Sequence, residues 1–217
     1  MKKLFLASSG LEYIKQFIGT EPAKCRMLFI PTAGNLDDDV WWIDKDRDVL
    51  SKMGFQITEL DIEHATPDEM RKHLKDSDIV YIAGGNTFHL LKQLRDSGFD
   101  NLLSAYINNG GLYAGASAGA LVMGADIEPV ASIGEPEKVR GLNSTEGLGF
   151  VNIVPIPHYD MKARTQAIDE IKKKYSDKYE IVLLTDDQAI LVEDDKWSVV
   201  DSPRNPLEHE WFRRNHM

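Results

Sequence analysis

The chain has 217 residues, 35 Asp and Glu against 25 Lys and Arg, a formal charge of -10 and a single cysteine. That excess of negative charge repels phosphate. With no basic run longer than Lys172-Lys173-Lys174, neither a nucleic acid nor an anionic membrane is the expected partner. One cysteine makes neither an internal disulfide nor a multi-thiolate zinc site, so a fold stable in a reducing cytoplasm is expected.

In chain order, the N-terminal run Lys3–Ala7 is too short for the roughly 7–15 apolar residues of a signal-peptide core and reads as a first strand. Strand-like runs follow at Met27–Ile30, Phe55–Leu60, Asp78–Ile82, Gly111–Ala114, Val151–Ile156, Ile181–Leu184, Ala189–Val192 and Trp197–Val200. Helical patterns lie between most of them: Asp37–Lys52, Pro67–Lys75 with Thr66 as N-cap, Thr87–Arg95, Asp100–Asn108 and Met161–Tyr175. Nearly wholly apolar strands separated by helices several turns long predict an α/β fold with a mostly parallel sheet sandwiched between helices. The closely spaced last strands predict a C-terminal antiparallel hairpin. With no repeat and no linker composition, residues 1–217 read as one domain. No apolar stretch approaches the ~18–20 residues of a membrane span, and the sequon Asn143-Ser144-Thr145 is not expected to be glycosylated.

In parallel sheets functional groups gather beyond the carboxyl ends of strands. Eight of the 16 glycines fall between residues 84 and 124, where the backbone must turn sharply or approach a ligand. Within that window, Gly111 to Met123 reads as a buried strand, a tight turn and an apolar helix, and the turn spells Gly115-Ala116-Ser117-Ala118-Gly119. A serine at such a strained strand-to-helix junction needs small neighbours, and every neighbour from 114 to 120 is Gly or Ala. Ser117 is therefore the candidate nucleophile, against a plain helix cap.

A serine nucleophile needs a base. His64, His73 and His89 precede the turn in helix or loop settings, and His209 and His216 lie in a polar tail. His158 ends the apolar run Phe150–Pro157, just past the carboxyl end of a buried strand and level with Ser117 if the strands are parallel. The carboxylate that orients the imidazole is sought among Asp126, Glu128, Glu135, Glu137 and Glu146, which lie between the two. Glu135 is favoured because it stands at a turn after a short apolar run; Glu128 and Asp126 stay open. One oxyanion donor is the backbone N–H of Ala118, and the turn Gly84-Gly85-Asn86 offers a second.

Gly84-Gly85-Asn86-Thr87-Phe88, Gly115-Ala116-Ser117-Ala118-Gly119-Ala120 and Pro157-His158, in this order, resemble the peptidase E family of aspartyl dipeptidases, related to cyanophycinase. The resemblance runs over nearly the whole chain. It implies a class I glutamine-amidotransferase-like sandwich with serine in place of the amidotransferase cysteine. It assigns Ser117 as nucleophile, His158 as base, and Gly85 with Ala118 as oxyanion donors. Asn86 shares the family motif and stands as a substrate-binding candidate. The family's dipeptidase members carry Asp where this chain has Glu135, and either carboxylate can orient an imidazole. In the family an arginine shortly after the histidine receives the substrate's aspartyl carboxylate; Arg164 is the only arginine nearby.

The expected activity is a serine peptidase acting on small peptides, dipeptidase-like with Asp-X as the specific candidate. It would need no cofactor and no metal, with a homodimer as the assembly considered. A non-catalytic or regulatory small-ligand-binding member of the same fold is the alternative, and amide transfer to a partner synthetase a third. The acids around Asp44, Asp46 and Asp48 do not form a calcium loop, since Val49 and Phe55 stand where glycine and glutamate are needed. Trp41 and Trp42 are read as an interface or substrate wall, with core packing of at least one of them favoured, and Cys25 lies outside the serine turn.

Overall fold

The computed structural model describes residues 1–208 and Trp211. His209 and His216 lie outside the described residues. Seven strands form the main sheet in the order β3-β2-β4-β5-β1-β8-β9. They are β1 (Lys3–Ala7), β2 (Arg26–Ile30), β3 (Gln56–Glu59), β4 (Ile79–Ile82), β5 (Leu112–Ala116), β8 (Gln188–Glu193) and β9 (Lys196–Asp201). The first five in spatial order are parallel, while β8 runs antiparallel to β1 and β9 antiparallel to β8. The mostly parallel sheet and its C-terminal antiparallel hairpin are thus as the sequence predicts. Two short strands, β6 (Val154–Ile156) and β7 (Ile181–Leu183), pair in parallel in a separate sheet.

The inner strands are apolar on both faces because both faces are covered, and residue parity divides them. Leu4, Leu6, Leu28, Ile30, Val80 and Ile82 face one side, where they pack with α3 (Pro67–Lys75), α4 (Thr87–Asp96) and α5 (Phe99–Asn108). Phe5, Ala7, Met27, Phe29, Ile79 and Tyr81 face the other, packing with α1 (Ile14–Ile18) and α2 (Trp41–Met53). Each of these strand side chains is at most 1% exposed. Full burial of a single Leu, Ile or Phe stabilises by about 1.5–3 kcal/mol. α7 (Lys162–Tyr175) adds Ile168 and Ile171 to the first layer.

Local signals set most helix ends. α3 begins behind Thr66, whose hydroxyl accepts from Glu69 N–H while the Glu69 carboxylate accepts from Thr66 N–H, a reciprocal capping box. α2 starts at Trp41 rather than at Asp37, because Asp37 N–H closes a turn onto Gly34 C=O and Asp39 accepts from Trp41 N–H. α1 has no counterpart among the predicted elements; its five residues are too few to show a helical period. Among the described residues no helix is long and apolar enough to cross a membrane.

Candidate active site

The parallel strands deliver their carboxyl ends to one rim, and a cavity of about 560 Å³ opens there, lined by Ser8 after β1, Gly84 and Gly85 after β4, and Ser117 after β5. Ser117 joins β5 to the short helix α6 (Ala118–Leu121) with φ 51° and ψ -107°, a strained backbone for a residue with a Cβ. The surrounding packing imposes it. A Cβ at Gly119 would stand 2.2 Å from Ile82 O, and one at Gly115 would stand 2.6 Å from Gly119 O, so α6 lies directly on the sheet. Ser117 N–H donates to Ala7 O at 3.0 Å, and Tyr113 Oη donates to Gly119 O at 2.6 Å.

His158 follows β6 with φ 64°, its N–H donating to Ser8 Oγ at 2.9 Å. Its Nε2 lies 3.0 Å from Ser117 Oγ, and its Nδ1 lies 2.6 Å from Asp186 Oδ1. Because Asp186 offers only acceptors when ionised, Nδ1 carries the hydrogen and Nε2 is left to accept from the serine hydroxyl. Burial raises the Asp186 carboxyl, but the hydrogen bond and charge of His158, followed by Arg204, outweigh it and hold the group below the usual carboxylate range. The carboxylate is therefore ionised near neutral pH. A hydroxyl, an imidazole and a carboxylate in this chain can move the serine proton to Nε2 while the carboxylate stabilises the imidazolium.

Glu135 is not the partner of His158. It sits at φ 51° before a 3-10 turn, and its carboxylate pairs with Lys138 at 2.8 Å. Asp126 accepts from Tyr179 Oη at 2.6 Å, and Glu128 pairs with Lys178 at 3.1 Å, so neither alternative reaches the imidazole. Asp186 comes from beyond the histidine in sequence. β6 and β7 pair in register with Ile156 opposite Leu183, and Tyr159 N–H donates to Leu184 O. That pairing brings the residues just past both strand ends together. The signal was present in the chain: Asp186 follows the apolar run Ile181–Leu184 much as His158 follows its own.

Gly85 has φ 148°, and a Cβ there would stand 2.3 Å from Ala33 O, so only glycine fits. Asn86 N–H donates to Ala33 O at 2.7 Å, while among the described residues neither Gly85 N–H nor Ala118 N–H has a hydrogen-bond acceptor. Gly85 lines the cavity beside Ser117, and Ala118 is the first residue of α6, directly after Ser117. The Asn86 side chain, carried as a substrate-binding candidate, is occupied by the fold: Oδ1 caps α4 by accepting from His89 N–H, and Nδ2 donates to Gly134 O and Glu135 O.

Of the cations lining the cavity, Lys45 pairs with Asp46 at 2.9 Å and Glu208 at 3.1 Å, and Arg204 with Asp186 at 2.5 Å. Burial disfavours the Lys45 charge, but Asp46 and Glu208 outweigh it and raise its ammonium above the ordinary lysine range. Arg164 lines the same cavity and has no carboxylate partner among the described residues. Trp42 donates from Nε1 to Gly84 O at 3.1 Å, and Trp41, 36% exposed, packs at a tilt against the ring of Trp211; Trp41 and Trp42 form cavity wall. Cys25 is buried elsewhere, and burial pushes its thiol up to about 11. Asp61, Glu63 and His64 form the cluster with metal-ligand spacing among the described residues, yet its carboxylates already accept from Thr32, Asn35, His89 and Gln93.

The sequence profile of Peptidase family S51 matches residues 4–200. An uncharacterized peptidase of Listeria innocua is 31% identical over 198 residues, covering 90% of this chain and 95% of that one. An uncharacterized peptidase of Pasteurella multocida is 32% identical over 195 residues, with 88% and 94% covered. Peptidase E of Shewanella amazonensis is 34% identical over 154 residues, with 69% and 60% covered. Among solved structures, a Listeria monocytogenes protein provisionally named peptidase E superposes with a TM-score of 0.86 at 27% identity, covering 93% of this chain and 98% of that one. The fold and these likenesses class the chain with the peptidases. It belongs to peptidase family S51.

Proposed function

We propose that this peptidase is a serine hydrolase of small peptides, working through Ser117, His158 and Asp186 and an acyl-enzyme. The observation that carries the reading is the continuous path from Ser117 Oγ through His158, 3.0 Å and 2.6 Å long, to Asp186. In the reaction, Ser117 Oγ attacks the scissile carbonyl carbon as His158 Nε2 takes the hydroxyl proton. Negative charge then develops on the carbonyl oxygen, where the N–H groups of Ala118 and Gly85 are available to stabilise it. His158 returns the proton to the leaving amine as the C–N bond breaks, and the acyl group stays on Ser117 Oγ. Water, activated by the same imidazole, releases the acid and restores Ser117.

A cavity of about 560 Å³ suits a short peptide, and a lining cation without a partner suits a carboxylate on it. Arg164 is accordingly the receptor for an acidic first residue, which makes Asp-X dipeptides the preferred candidates. Two measurements test this. A fluorophosphonate probe labels Ser117 in the wild type and not in Ser117→Ala; a folded wild-type sample that resists labelling overturns the hydrolase reading. A dipeptide panel varied at the first residue shows Asp-X favoured and that preference lost in Arg164→Met. Equal rates on neutral and acidic dipeptides overturn the specificity alone.

A further inference from the structure

The carboxylate that holds His158 is itself held from a second side. Asp186 Oδ1 meets the imidazole, while Oδ2 accepts from Arg204 Nη2 at 2.5 Å, so one carboxylate is divided between an imidazole and a guanidinium. Arg204 follows β9 in a segment pinned to the loop that it bonds: Arg204 N–H donates to Asp187 Oδ1 at 3.2 Å, and Ser202 N–H donates to Asp187 O at 2.8 Å. The same loop is fixed by Asp186 N–H on Asp160 Oδ1 at 2.9 Å and by Gly10 N–H on Asp186 O at 2.8 Å.

We propose that Arg204 is a positioning residue of the hydrolytic site, holding the Asp186 carboxylate toward His158 and drawing part of its negative charge away from the imidazole. The proposal rests on the serine-hydrolase reading. Two physical effects support it. The terminal torsion of an aspartate is broad, so an Oδ2 without a partner lets the carboxylate swing, whereas a guanidinium donor fixes it. A cation on the far oxygen also opposes protonation of the imidazole on the near one, although Arg204 is 39% exposed on its side chain and water screens part of that effect.

Other charged groups share the site. Asp160 lies on the segment of His158 itself, and Arg164 projects from α7 into the cavity lining. Asp37 and Glu135 are both paired with Lys138, and Lys45 is paired with Asp46. None of these contacts involves Arg204, so replacing it changes the field at His158 through Asp186.

The test compares Arg204→Met and Arg204→Lys with wild type, following the His158 ring nitrogens by NMR against pH and kcat/KM against pH on a neutral dipeptide. In Arg204→Met the His158 titration midpoint and the acid limb of kcat/KM both rise by about 0.5–1 pH unit, because loss of a cation favours the imidazolium. kcat falls about tenfold with KM nearly unchanged, and Arg204→Lys restores most of the midpoint. Arg204→Gln substitutes if the methionine variant does not fold. An unmoved midpoint overturns the proposal, as does a loss confined to KM, which makes Arg204 a substrate anchor. The NMR midpoint reads the Arg204–Asp186–His158 coupling even in a protein that hydrolyses nothing, so failure of the proposal and failure of the hydrolase reading give different results.

Discussion

Replacing Asp186 by asparagine removes one negative charge and almost no volume, and the structure dictates how the site responds. Arg204 Nη2 lies 2.5 Å from Oδ2 and needs an acceptor, so it takes the amide oxygen and turns the amide nitrogen toward His158. An amide N–H facing Nδ1 requires Nδ1 to accept. The ring hydrogen then moves to Nε2, which can no longer accept from Ser117 Oγ 3.0 Å away. The wrong tautomer adds to the loss of the charge 2.6 Å from Nδ1, and the two together lower reactivity by about 10³–10⁴-fold, or about 4–5.5 kcal/mol of barrier. The second-order rate of fluorophosphonate labelling at Ser117 reads this without knowledge of the substrate, with circular dichroism as the control for folding. Glu135→Gln, in which only the Lys138 pair at 2.8 Å is disturbed, stays within about threefold of wild type, as expected for an exposed ion pair. A variant Asp186→Asn that keeps more than a tenth of the labelling rate refutes the reasoning, and so does an inactive Glu135→Gln.

Gly85→Ala puts a Cβ 2.3 Å from Ala33 O at a φ of 148°, and about 2–4 kcal/mol of stability is lost together with at least tenfold in labelling rate. Urea unfolding measures the first; a stability equal to wild type shows that the turn relaxes freely. Lys45→Met leaves Asp46 and Glu208, 4% and 0% exposed, without their cation, at a cost of about 3–5 kcal/mol. Thermal unfolding of the single variant beside Lys45→Met combined with Glu208→Gln checks it, the second substitution recovering part of the loss.

The serine turn was legible in the sequence because its constraints are local. Gly115, Ala116, Ala118 and Gly119 are small since a helix must leave the strand at once and lie on the sheet, and that demand is visible wherever the turn occurs. The strand positions were legible for the same reason: burial on both faces writes an unbroken apolar run. The place of His158 at a strand end was legible too, but not the sheet to which its strand belongs. β6 stands apart from the main sheet and pairs with β7, so His158 reaches Ser117 from a second sheet rather than from a neighbouring strand of the first.

The carboxylate illustrates the boundary. Glu135, Glu128 and Asp126 are the candidates the sequence offers between Ser117 and His158, with Glu135 favoured by its turn; Asp186 carries a comparable signal, an acid just past an apolar run, but lies beyond the histidine. Twenty-eight positions separate His158 from Asp186, and only the pairing of β6 with β7 across α7 cancels that distance. Apolar patterning shows that a strand is buried; it does not say which other strand lies beside it, because backbone hydrogen bonds join any two strands in much the same way. By itself the sequence determined the layered fold, the strained serine and a histidine at a strand end. The tertiary structure alone decided which acid meets that histidine, which cations in the cavity are already neutralised, and which arginine holds the carboxylate from behind.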